Sequence, residues 1–185
     1  MSLDNKILEK VRDYAARSHG AQQRKYTPDP YIVHPVRVME ICSRYTKDTA
    51  VLAAALLHDV LEDTPVSKGE MYAFLCTIME DPEAARTIGY VIELTDVYIK
   101  KDFPQWNRRQ RKEKENIRMA AISSEAQTVK YADIIDNSLE IPVHDPGFAR
   151  VFLYECRTLL KNMERGDASL RTKAFEMVEE GIRRV

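Results

Sequence analysis

The segment LLHDVLEDT, residues 56–64, sets one histidine and three acids at the end of an apolar stretch. Counted from His58, the acids Asp59, Glu62 and Asp63 fall one, four and five positions on, which places all four groups on one broad helical face. Carboxylates crowded on the end of a buried helix repel one another unless a cation or a set of donors offsets them. Acids near a helix C-terminus also oppose the helix dipole. A metal centre would account for the cluster, and a solvated last turn whose acids face water is the plainer alternative. His34, just before Pro35, offers a second imidazole, and TVKYADIIDNS, residues 128–138, sets Lys130, Asp133 and Asn137 on successive turns. His34, His58, Asp59 and Asp133 make a two-nitrogen, two-oxygen set suited to Mn, Fe, Zn or Mg. For Asp133 and Asn137 a hydrogen-bonded packing pair stands beside that reading.

Such groups need rigid elements behind them, and the pattern here is helical. Ile7, Leu8, Val11, Tyr14 and Ala15 recur at helical spacing within Asp4–Ser18. His34-Pro35 opens a second helix, with proline suited to a first turn. Residues 49–63 read as a third, apolar nearly all round from Val51 to Leu57. Ser67 and Glu70 form a capping box for a fourth helix reaching about Met79. Asp81-Pro82 and Asp145-Pro146 read as cap-plus-proline starts of helices near 82–95 and 146–165, the latter closed by Gly166. Further helices fit 107–122, 125–140 and 168–183. Gly20–Val33, with Pro28 and Pro30, reads as an ordered loop. No stretch alternates at period two, so a sheet is not expected.

Length and composition narrow the classes. The 185 residues suit one domain, and 44% hydrophobic with 31% charged residues is ordinary globular usage. Twenty-eight basic and 29 acidic side chains leave a net charge of −1, which disfavours a nucleic-acid partner. The longest apolar run is far short of the ~20 residues a membrane span needs. MSLDNKILEK lacks the apolar stretch of a secretory signal, and Met1–Leu3 read as an added leader. Cys42, Cys76 and Cys156 are odd in number and widely spaced, giving neither a disulfide framework nor a cysteine zinc site. The expectation is a reduced, cytoplasmic protein with no membrane partner, of open oligomeric state.

The order His, then His-Asp, then a distant Asp resembles the HD superfamily of metal-dependent phosphohydrolases. More closely, the chain is similar to the hydrolase domain of RelA/SpoT homologues, especially the small standalone alarmone hydrolases. DYAARSHGAQQRK, PYIVHPVRV, AALLHDVLEDT, KENIRMAA, VKYADIIDN and RVFLYE carry the resemblance, spanning about residues 11–155. It implies an all-α, single-domain HD-type bundle of about eight or more helices over 1–185. It also implies hydrolysis of (p)ppGpp at the 3′-diphosphate to pyrophosphate and GDP or GTP, with Mn²⁺ as the usual ion. By matching position, His34, His58, Asp59 and Asp133 would hold the metal, and Glu62 and Asp63 would be the catalytic acidic pair. Arg24 and Lys25 fall in the nucleotide loop, Tyr31 in the PYI segment, and Asn137 and Tyr154 among the substrate contacts. Lys130 is counted with those substrate-facing groups.

Two departures stand out. The family loop carries a glycine between its RK and PYI elements, whereas RKYTPDPYI has none and two prolines. After its asparagine the family continues with Met-Arg or Leu-Arg, whereas this chain runs Asn137-Ser-Leu-Glu140. Residues 100–118 hold eight basic and three acidic side chains, which suits either a lid for a pyrophosphate or a solvated helix with Arg109–Glu113 pairing. Phe103 and Trp106 would anchor it or join a core. Competing readings are an HD phosphohydrolase for another nucleotide (ppApp, NADPH or a nucleoside phosphate) and a catalytically idle nucleotide-binding regulator. The GYP element of cyclic-dinucleotide phosphodiesterases is missing after His-Asp. For a di-iron oxygenase only His19 and His144 are spare. The chain ends where a bifunctional relative continues into a synthetase domain, so hydrolysis alone is expected.

Overall fold

Alternating helical stripes and strong caps give an all-α protein. The structure, a computed structural model, describes residues 3–185, so the added-leader reading of Met1 and Ser2 lies outside the described residues. Ten helical segments occur among the described residues, and the β-type contact there is an isolated antiparallel bridge from Gln23 to Pro30. No described helix is long and apolar enough to cross a membrane. The chain divides into two compact units, Met1–Thr95 and Asp96–Val185.

The first unit is built round α3 (Thr49–Leu57), all of whose residues are buried. The Asp48 carboxylate starts it by accepting from Ala50 N. Its alanines leave room for α1 (Leu3–His19), α2 (Val33–Cys42) and α6 (Asp81–Leu94) to pack close against it. α1 contributes Ile7, Val11 and Ala15, one stripe at four-residue steps. α4 (Val60–Asp63) and α5 (Lys68–Cys76) add Val60, Met71 and Leu75 to the same core. Each such side chain, buried, stabilises the unit by about 1.5–3 kcal/mol. Ser67 and Glu70 form the expected capping box.

Three boundaries in this unit differ from the sequence reading. The helix expected over 49–63 is broken at His58 and Asp59 into α3 and α4. There the His58 ring turns back onto the Ala55 carbonyl, a side-chain to backbone bond that competes with the helical ladder. Asp81 does not cap α6. Glu80 holds the cap position, and Asp81 instead accepts from the Tyr72 hydroxyl at 2.6 Å. α5 ends at Cys76, short of Met79, because the next residues close as tighter turns.

The second unit comprises α7 (Arg108–Ala121), α8 (Ser124–His144), α9 (Pro146–Asn162) and α10 (Ala168–Arg184). α8, α9 and α10 pack on one another, and α7 packs on α9. α8 runs beyond the expected 125–140, passing through Pro142 in its last turn. Asp145 then ends α8, with its N–H on the Ile141 carbonyl, and starts α9, with its carboxylate accepting from Phe148 N. Gly166 does not close α9, which ends at Asn162 with Met163 as its C-cap. A Cβ at Gly166 would lie 2.5 Å from Tyr131 Cε2 and 2.9 Å from Thr128 N, so glycine lets the chain press on α8. Gln127, fully buried, ties that crossing to α7 by donating to the Ala120 carbonyl and accepting from Arg165 N.

Candidate metal centre

In the first unit, Gly20 takes a φ of 56° and ends α1 through its N–H on the Ala16 carbonyl. The following loop is pinned by the Gln23–Pro30 bridge, by Arg24 N on the Asp29 carbonyl and by Tyr31 N on the Gln22 carbonyl. It hands the chain to α2, whose first turn carries His34 and Pro35, both buried. His58 follows buried α3, and the helix break there turns Asp59 toward both imidazoles.

Asp59 Oδ2 lies 3.1 Å from His58 Nε2 and 3.6 Å from His34 Nε2. One ligand atom from each of the three residues falls within 4.8 Å of the other two. His58 Nδ1 sits 2.8 Å from the Ala55 carbonyl oxygen, which can only accept, so Nδ1 carries the hydrogen. In the neutral ring Nε2 is then a lone pair facing a carboxylate oxygen. Two acceptors at that separation repel unless a proton or cation lies between them. Outer hydrogen bonding of this type is what orients a metal-binding histidine. The donor set, two imidazole nitrogens and a carboxylate oxygen, fits a first-row divalent ion.

Tyr31, expected among the substrate contacts, donates its hydroxyl to Asp59 Oδ2 at 2.7 Å. Its ring lies 4.5 Å from that of His19 and 5.5 Å from the Arg24 guanidinium. Lys25 instead reaches the Tyr26 hydroxyl at 2.8 Å. Glu62 and Asp63 are exposed on α4. Asp63 Oδ2 accepts from Gln22 Nε2 at 3.0 Å, and Gln22 Oε1 meets His19 Nδ1 at 2.9 Å. Sequence reasoning set His19 aside as spare and passed over Gln22. Both lie in the DYAARSHGAQQRK segment that carried the resemblance.

In the second unit, Asp133 is buried and accepts from Lys130 Nζ at 2.8 Å and from Asn137 Nδ2 at 2.6 Å. The expected neighbours on α8 thus form one polar triad. It borders a cavity of about 130 Å³ also lined by Arg108, Lys112, Glu155 and Cys156. Burial pushes the Cys156 thiol up to about 12. The Arg109–Glu113 pairing weighed from sequence gives way to Arg108 on Glu155 and Lys112 on Asp96, where carboxylates from other segments meet α7. The Glu155 bond raises the Arg108 guanidinium further above its ordinary value. Phe103 and Trp106 stack at 4.7 Å and join Tyr98 in an aromatic cluster. Tyr154 is exposed, with the Arg157 guanidinium 4.4 Å from its ring centre.

A family model described as HD domain matches residues 12–141. A probable guanosine-3′,5′-bis(diphosphate) 3′-pyrophosphohydrolase of Mycoplasma pneumoniae is 29% identical over 139 residues, covering 71% of this chain and 18% of that protein. The bifunctional (p)ppGpp synthase/hydrolase RelA of Mycobacterium tuberculosis is 44% identical over 61 residues, 33% of this chain and 8% of its own length. The chain therefore spans less than a fifth of these curated relatives. A solved structure described as a metazoan ortholog of SpoT that hydrolyzes ppGpp and plays a role in starvation responses superposes with a TM-score of 0.78. It is 27% identical, over 94% of each chain.

Proposed function

The chain belongs to the HD domain family, and from that footing we propose that it is a Mn²⁺-dependent hydrolase that removes the 3′-diphosphate of (p)ppGpp. The observation that carries the reading is the Asp59 carboxylate facing the Nε2 atoms of two buried histidines, one of them fixed in tautomer by Ala55. The likeness to a ppGpp-hydrolysing structure over 94% of each chain supports the substrate class.

His34, His58 and Asp59 would hold the ion. Asp133 is carried as a fourth ligand on the sequence resemblance alone. When bound, a divalent ion supplies a Lewis acid for phosphoryl oxygens and lowers the pKa of water. Glu62 takes the proton of the attacking water, a role typically worth about 10²–10⁴-fold. Asp63 orients that water from a carboxylate held by Gln22. The water oxygen bonds to the phosphorus next to the ribose 3′-oxygen, the phosphorus–3′-oxygen bond breaks, and pyrophosphate is released while the 3′-oxygen takes the proton that Glu62 carries. Arg24, Lys25 and Tyr31 bind the nucleotide, with Lys130, Asn137 and Tyr154 as further contacts.

The test is pyrophosphate release from ppGpp with and without Mn²⁺, for the wild type and Asp59→Ala. Loss of one carboxylate from so small a donor set should abolish both ion binding and turnover. Full activity in a chelated, metal-stripped sample would overturn the reading.

A further inference from the structure

We infer that His19 and Gln22 are positioning residues that fix the Asp63 carboxylate during hydrolysis, an inference that rests on the hydrolase reading above. The protons in this relay have one arrangement. A carboxylate only accepts, so the Gln22 end at 3.0 Å from Asp63 Oδ2 is its NH₂ group. The opposite end of the same amide, Oε1, then faces His19 at 2.9 Å and only accepts, so His19 Nδ1 carries the hydrogen. The chain is therefore His19 Nδ1–H to Gln22 Oε1, and Gln22 Nε2–H to Asp63 Oδ2.

The relay is also held in place. His19 is 7% exposed and lies against the Tyr31 ring, so its imidazole cannot swing away. Its Nε2 is buried and meets no hydrogen-bond partner among the described residues, so Nδ1 carries the polar contact of the ring. The Gln22 backbone is fixed at both ends, its N–H on the His19 carbonyl and its carbonyl under Tyr31 N. Asp63 itself sits exposed on a four-residue helix, with little to limit its rotamers. Tying Oδ2 to a locked amide leaves Oδ1 in one direction. The Tyr31 ring that confines His19 also bonds Asp59, so one buried imidazole braces both acids.

A positioning role predicts a change in turnover without a change in binding. Gln22→Ala should lower kcat about 10-fold, short of the ~10²-fold that a misplaced group can cost, with KM held within about twofold. In an Asp63→Ala background the same change should alter kcat by less than about twofold, since coupled residues are not additive. His19→Asn keeps an N–H near the Nδ1 position and should retain most of the activity that His19→Leu loses. Independently, nitrogen-15 imidazole spectra taken without metal or nucleotide should show His19 as the Nδ1–H tautomer, shifted toward a mixture in Gln22→Ala. An Nε2–H tautomer, or an equal kcat loss with Asp63 already removed, would overturn the relay. A wild-type protein inert toward ppGpp would instead remove the hydrolase reading, and the nitrogen spectra would still decide the relay.

Discussion

Replacing Tyr31 with phenylalanine deletes one hydroxyl and leaves the ring. That hydroxyl donates to Asp59 Oδ2 at 2.7 Å, a bond to a charged acceptor. Such bonds contribute about 1.5–3 kcal/mol, and at roughly 1.4 kcal/mol per tenfold the loss corresponds to about 10- to 100-fold in ion affinity. Measured effects of removing an outer partner of a metal ligand span about the same 10–100-fold, so the two routes agree. The remaining ring would keep its 4.5 Å approach to His19 and its 5.5 Å approach to Arg24. Tyr31→Phe should therefore weaken Mn²⁺ binding, titrated calorimetrically without nucleotide, by about 10- to 100-fold. At saturating Mn²⁺ its KM for ppGpp should stay within about twofold of the wild type, because stacking surface is retained. An unchanged ion affinity together with a raised KM would refute the reasoning and assign the Tyr31 hydroxyl, and not only its ring, to the nucleotide.

Gly166→Ala should cost about 1–3 kcal/mol, because neither a buried tyrosine ring nor a helix backbone can yield to the added methyl; an unchanged urea midpoint would contradict the close approach of Gly166 to Tyr131 and Thr128. Exposed Cys76 should react at once with a disulfide reagent at pH 8, whereas Cys156, pushed up to about 12 by burial, should react only on unfolding. Prompt labelling of Cys156 would count against its burial. The loop has no glycine between Arg24 and Tyr31, and Pro28 and Pro30 stiffen it, so under the proposed function weak reading of the guanine edge is expected. The kcat/KM preference for ppGpp over ppApp should fall well below the ~10⁴-fold of a pocket that hydrogen-bonds its base. Arg24→Ala should raise KM for both purines alike.

What could be read from sequence was what neighbouring residues decide. α3 was legible because an unbroken apolar run has no face left for solvent, and the His-Asp pair was legible because its atoms are adjacent in the chain. The break after Leu57 was not, since it depends on which way one imidazole turns. Gly166 looked like a helix stop for lack of any local hint that a tyrosine 35 positions earlier would press on it, since glycine serves both purposes. The contacts that surround the acids are longer still. Tyr31 reaches Asp59 across 28 positions and Gln22 reaches Asp63 across 41, beyond any helical or turn periodicity. Asp133 illustrates the opposite case: its partners Lys130 and Asn137 lie within one turn, and both readings of that helix predicted their proximity.

The double duty of Asp145, C-cap of one helix and N-cap of the next, makes the α8–α9 corner intolerant of insertions. Adding one residue there would rotate everything that follows by about 100° about the α9 axis. Leu153, Cys156 and Leu160, now buried, would be replaced on the packed face by their neighbours Phe152, Glu155 and Leu159. A glutamate would then enter the core of the second unit. Changes of chain length in this protein's lineage should therefore fall in the turn-rich stretch 99–106, where no helix register follows until Asn107 caps α7 afresh. At the Asp145 corner, evolution can exchange residues but has no freedom to count differently.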